Sequence, residues 1–304
     1  MEDVIAARVP AGSGPKTRHA AVTPRAPRLG YSTVPRHWFA GSAAATHVAN
    51  GVNLLFPAGE RFFVRSVRHY LDRLDEEKHP GLAAQVRGFF GQEGRHAQAH
   101  ERFFDVLRTH GFEVDALLER YERRAYDIIE RFAPPPLRLA ATVALEHFTA
   151  ILAEDALAGG ALAHAHPEVR RLLEWHAVEE LEHKAVAFDV LRAVNPSYAL
   201  RIAGLAVATL SLGAFWAIMT RELLAQEGMT LREAAVELRG MREAAARAGE
   251  QHVPQPVFRR VFLRGIREYL RPGFHPHDRD HSALVAEALE RLRAEGVLPD
   301  DEPS

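Results

Sequence analysis

Glu93-Gly-Arg-His96 and Glu180-Leu-Glu-His183 are both Glu-x-x-His, and a lone Glu precedes each, Glu60 by 33 residues and Glu146 by 34. Residues three apart share one face of an α-helix, so each pair can offer a carboxylate and an imidazole to the same ion. The order Glu, Glu-x-x-His, Glu, Glu-x-x-His therefore suits two helical hairpins whose inner faces meet. The flanks repeat as well: Gly59-Glu60-Arg61-Phe62 resembles Leu145-Glu146-His147-Phe148, and Phe104–Arg108 recurs as Phe188–Arg192. This reads as a duplicated helix pair.

One Glu-x-x-His among 40 acidic residues and 17 histidines carries little weight. Its surroundings carry more. From Leu137 to Leu152 the chain is almost wholly apolar around Glu146, and Phe56, Phe62, Phe63 and Val67 surround Glu60. A carboxylate in such a setting is expensive to leave uncompensated. The chain has no cysteine, which excludes thiolate sites, iron–sulfur clusters and disulfides. Oxygen and nitrogen ligands suit iron, manganese or zinc. Glu60, Glu93, His96, Glu146, Glu180 and His183 are the expected ligands of two ions, with Glu93 and Glu180 bridging. His100 and His176 lie four residues from His96 and Glu180 on the same faces, and Glu179 is the alternative partner of His183; these three are extra-ligand or supporting candidates.

In chain order, residues 1–36 carry six Lys or Arg against two acids and read as a mobile basic tail. Helices are expected over 57–77, 80–110, 113–132, 136–158 and 167–194. Residues 37–196 would then form the metal-binding bundle and 197–304 a helical extension. Gly88, Gly91 and Gly94 form a stripe in the second helix where a neighbouring helix or a substrate comes close. Residues 202–219 hold no charge between Arg201 and Arg221. They read as a buried or dimer-interface helix, or as one in contact with a membrane. The Thr230 and Glu233 capping box opens a further helix, and His275, His277 and Asp278 sit in a turn-like stretch that could also bind a metal. A formal net charge of −2 makes nucleic acid an unlikely partner and leaves a cytoplasmic location, with peripheral membrane contact, as the expectation.

The inventory of four Glu and two Glu-x-x-His histidines resembles that of ferritin-like di-iron and di-manganese carboxylate bundles. The stretches Glu60-Arg-Phe-Phe, Gln92-Glu93-Gly-Arg-His96, Glu146-His-Phe, Glu179-Glu180-Leu-Glu-His183-Lys and Arg271-Pro-Gly-Phe-His275-Pro also resemble a bacterial family known as predicted metal-dependent hydrolases. The two resemblances imply an all-α, ferritin-like four-helix bundle that binds metal at the six positions. They differ on chemistry. The first implies a di-iron oxidase or oxygenase acting on an apolar or lipid-like molecule and fed by a separate electron donor. The second implies a two-metal hydrolase cleaving an ester or amide, with Glu179, His100 or His176 as proton shuttle. A ferroxidase is the third expectation.

Overall fold

The computed structural model describes residues 22–158, 160–250 and 258–299. The regular elements among them are helical, with one isolated bridge between Phe39 and Ala165. After an extended stretch, Ser42 caps α1 (Ala43–Asn53) by accepting the Ala45 N–H. α2 (Phe56–Arg68) has Pro57 in its first turn, where no N–H is needed. α3 (Leu82–Thr109) is followed by α4 (Asp115–Glu122), which widens into a π-helical stretch, Arg123–Glu130. α5 (Pro135–Ala158) and α6 (Pro167–His183) also open on proline. Beyond them come α7 (Val186–Val194), α8 (Tyr198–Gln226), α9 (Leu231–Arg247), α10 (Arg264–Tyr269) and α11 (Ser282–Ala294).

The helices carrying the repeated motif close into a ring: α2 packs on α3, α3 on α6, α6 on α5, and α5 back on α2. Phe89, Phe103, Phe148 and Trp175 are fully buried in the packed interior. α8 lies along α5 and α1. It passes α5 at Gly204, where a Cβ would come 2.3 Å from the Ala140 carbonyl, so only glycine permits the crossing.

Several expectations need correction. Residues 22–36 are not a loose tail: Val22 and Arg25 are buried, and the segment runs along α3 and α6. Gly88 and Gly91 make room for it. A Cβ at Gly88 would meet the Val22 carbonyl at 2.1 Å, and one at Gly91 would meet Pro24 at 2.4 Å. Gly88 and Gly91 thus admit the N-terminal segment rather than a helix or a substrate, while a Cβ at Gly94 would meet nothing within 4 Å. The expected tail's first 21 residues lie outside the described residues. α1 was not foreseen, the helix expected over 57–77 ends at Arg68, and the one expected over 167–194 breaks at Lys184. There the Lys184 ammonium donates to the Arg279 carbonyl and to His281 Nδ1. His275, His277 and Asp278 do not converge on a metal position; His275 Nε2 pairs with Asp189, and Asp278 with Arg271.

Candidate metal centre

The ring of helices brings all six expected ligands into one buried cluster. Glu60 comes from α2, Glu93 and His96 from α3, Glu146 from α5, and Glu180 and His183 from α6. Each is at most 3% exposed. Both carboxylate oxygens of Glu60, Glu93 and Glu146, with His96 Nδ1 and His183 Nε2, have no hydrogen-bond partner. Buried polar atoms are ordinarily paired, so a set of orphans pointing together is a donor set suited to a cation. His183 Nε2 lies 3.1 Å from Glu93, 3.4 Å from Glu146 and 3.7 Å from Glu180, close without hydrogen-bond geometry, as atoms do that share an ion.

The donor atoms fall into overlapping groups. One atom each from Glu60, Glu93 and His96 lies within 4.8 Å of the other two, and the same is true of Glu93, Glu180 and His183 and of His96, His176 and Glu180. Glu60, His100 and His176 form a further group, so Glu60, Glu93, His96, His176 and Glu180 each belong to two and the groups make one continuous cluster. The carboxylates of the cluster lie far from their ordinary pKa range. Burial, reinforced by neighbouring carboxylates, pushes Glu60 and Glu93 well above the ordinary range. Glu146 is pushed by burial to about 7, against the pull of His183. Burial also raises Glu180, but the adjacent His176 and His183 imidazoles overcome it and hold that carboxyl well below its usual value. Two divalent ions would balance four carboxylates and relieve this.

A surrounding layer fixes the ligands. His96 Nε2 is 3.0 Å from Glu179, whose other oxygen accepts the Arg25 N–H at 2.9 Å. Burial pushes Glu179 up to about 8, and the Arg25 N–H and guanidinium draw it back down. Glu179 therefore stands behind His96 as its orienting partner. His183 Nδ1 is 2.8 Å from Gln92 Oε1, and Gln92 Nε2 donates to Glu182 and to the Thr23 carbonyl. The Thr149 hydroxyl donates to Glu180. Arg25, Gln92 and Thr149 were not singled out in the sequence. Thr149 stands three residues after Glu146 and Gln92 beside Glu93, so helical spacing could have found both, whereas nothing local marks Arg25.

His176 holds a closer position than a supporting one. His100 Nδ1 faces Asn53 Oδ1, which can only accept, so His100 carries its proton on Nδ1 and leaves Nε2 bare. Burial, with the neighbouring His176 charge, holds the His100 pKa well below its usual value, so the ring is neutral. Its Nε2 must then accept from His176 Nδ1, 2.6 Å away. His176 Nε2 then faces Glu180 at 2.8 Å, within hydrogen-bond distance, and Glu60 at 3.7 Å. Between these two carboxylates the nitrogen can donate from a charged ring or offer its lone pair to a cation.

A model of the family described as predicted metal-dependent hydrolase matches residues 23–280. The chain belongs to this family. No curated protein and no solved structure matches the chain. In this member of the predicted metal-dependent hydrolase family the Glu and His cluster borders an apolar cavity of about 120 Å³. Glu60, Glu180 and Thr149 line its inner end; Phe56, Phe62, Phe63, Leu145 and Leu152 form walls. Val207, Ser211, Leu212 and Phe215 of α8 face Ala133, Leu137 and Arg138 toward the surface. The family description favours water as the attacking group over the dioxygen chemistry that the carboxylate-rich donors suggested.

Proposed function

We propose that the chain is a two-metal hydrolase that cleaves an ester or amide bearing an apolar acyl arm. The observation that carries this reading is the cluster of unpartnered, buried carboxylate and imidazole atoms at the inner end of an apolar cavity. A pair of divalent ions supplies Lewis acidity toward a carbonyl oxygen and lowers the pKa of water toward neutrality. Iron, manganese and zinc all suit these donors.

The chain's own residues do the rest. Glu93 and Glu180 would bridge the ions, and Glu60, His96, His176 and His183, with Glu146 beside His183, would complete the two sites. Glu179 and Gln92 hold two imidazoles in one tautomer, and Thr149 fixes the Glu180 carboxylate. The acyl arm lies among Phe56, Phe62, Leu145 and Phe215, which exclude bulk water and point its carbonyl at Glu60 and Glu180. Water then adds across the acyl C–O or C–N bond, its oxygen joining the acyl carbon and a proton leaving with the alcohol or amine. Glu179 lies behind His96 and outside the cavity lining, so it serves as an orienting group rather than a shuttle.

The test is turnover of a series of nitrophenyl esters of increasing acyl length, run with and without dioxygen on protein of known metal content. Hydrolysis indifferent to dioxygen and stronger for longer arms is the expected result. Turnover that requires dioxygen, or none across the series, would contradict the reading.

A further inference from the structure

α8 has two apolar faces and only one is covered. Gly204, Leu205, Ala208, Trp216 and Met219 are buried, whereas Ala203, Ala206, Leu210, Ala214 and Ala217 are exposed at helical spacing. Only 28% of its most apolar window is buried, where a helix at the centre of a core is mostly buried. With no charged residue between Arg201 and Arg221, the outer face is a continuous apolar stripe.

The stripe reaches the cavity mouth. Val207 and Ser211 line the cavity opposite Ala133 and Leu137. Their chain neighbours Leu210 and Phe132 stand out into solvent, 74% and 79% exposed. Arg123, Arg124 and Arg131 are exposed on the same stretch of chain as Phe132, and none has an ion-pair partner among the described residues. Of the two carboxylates in that stretch, Glu130 is engaged by Arg65 and Arg138, leaving Asp127.

We infer that this face docks on an anionic lipid bilayer, with Leu210 and Phe132 set among the acyl chains and Arg123, Arg124 and Arg131 among the headgroup phosphates. An apolar stripe rimmed by unpaired cations is the combination that peripheral membrane binding uses. Cavity-lining Val207, Ser211 and Ala133 are interleaved along the chain with the exposed residues of this face, so a protein partner would cover the border of the cavity, while a bilayer would set it against a store of apolar molecules. α8 does not span the bilayer in this arrangement, since its other face is packed along α5 and α1. The docking stands by itself; the further step, that the substrate is an acyl ester or amide drawn from the lipid phase, rests on the hydrolase reading.

Flotation of the full chain with vesicles of phosphatidylcholine, alone or mixed with phosphatidylglycerol, tests the inference. The protein is expected to float with the mixed vesicles, less well with phosphatidylcholine alone, and to be released by added salt. The double variant Leu210→Glu/Phe132→Glu should lower partitioning by about tenfold or more, with metal content and hydrolysis of a short soluble ester unchanged. Arg124→Ala/Arg131→Ala should weaken binding to the mixed vesicles alone. Wild-type protein that does not float, or a Leu210→Glu/Phe132→Glu variant that floats equally well, would overturn the docking. So would a dimer in light scattering that the double variant splits, since the face would then belong to a second copy. Flotation without ester hydrolysis would remove the hydrolase reading and leave the docking in place.

Discussion

His176 Nε2 lies 2.8 Å from Glu180 Oε1, one helical turn apart on α6, with the far side of the His176 ring fixed by His100. On the proposed two-metal reading, that arrangement offers His176 as a seventh donor to the metal centre. His176→Ala is expected to weaken the binding of one ion by about 10- to 100-fold and leave the other in place. A metal titration resolving two steps checks it; two unaltered steps would return His176 to a packing role.

The N-terminal segment holds the ligand layer from outside. Arg25 donates through its backbone to Glu179 and through both guanidinium arms to Glu182, at 2.7 and 2.8 Å. Arg25→Ala keeps the backbone donor to Glu179 but removes both guanidinium bonds to Glu182, and should lower stability by about 2 kcal/mol. Gly88→Ala drives a Cβ into the Val22 carbonyl and should act on the same segment by sterics alone. Both variants are expected to expose residues 22–36 to limited proteolysis while wild type resists.

A separate cluster ties the C-terminal end of α8 to the N-terminal part of the chain. Arg36 Nε, His37 Nε2 and His47 Nε2 all reach one oxygen of Glu227, at 3.0, 2.9 and 3.1 Å. Burial raises the Glu227 pKa, but these three partners overcome it and hold it at about 2, below its ordinary 4.5. A depressed carboxyl stabilises the fold above its unfolded pKa, so the contribution is complete above about pH 4.5 and fades as pH falls toward 2. Allowing for solvent screening, it amounts to about 1–2 kcal/mol. Glu227→Gln should lose this at neutral pH and show a flatter acid limb in denaturant midpoints. An unchanged midpoint at neutral pH would contradict it.

The cavity predicts selectivity by length. Leu212→Trp fills the outer part of the cavity without touching the ligands. The expected result is a higher KM for long acyl esters with little change for short ones. Equal loss across the series would show that the acyl arm lies elsewhere.

Much of this was legible before the structure. Three-residue spacing is a local property of a helix, so the sextet and the helices bearing it could be read directly, and the apolar run around Glu146 already implied a buried charge. What stayed hidden depends on distant partners. The reason for Gly88 and Gly91 lies in Val22 and Pro24. The role of His176 is decided by His100 on α3 and Asn53 on α1. The sidedness of α8 escapes hydropathy because residue size, small at Gly204 and Ala208, distinguishes its packed face from an equally apolar outer one.

Elemental analysis of protein purified without added metal, beside Glu93→Ala and His183→Ala, tests the central claim most directly. The account predicts about two divalent ions per chain in wild type and loss of metal in both variants, with the helical fold retained by circular dichroism. Wild-type protein free of metal, or variants that keep a full complement, would contradict it.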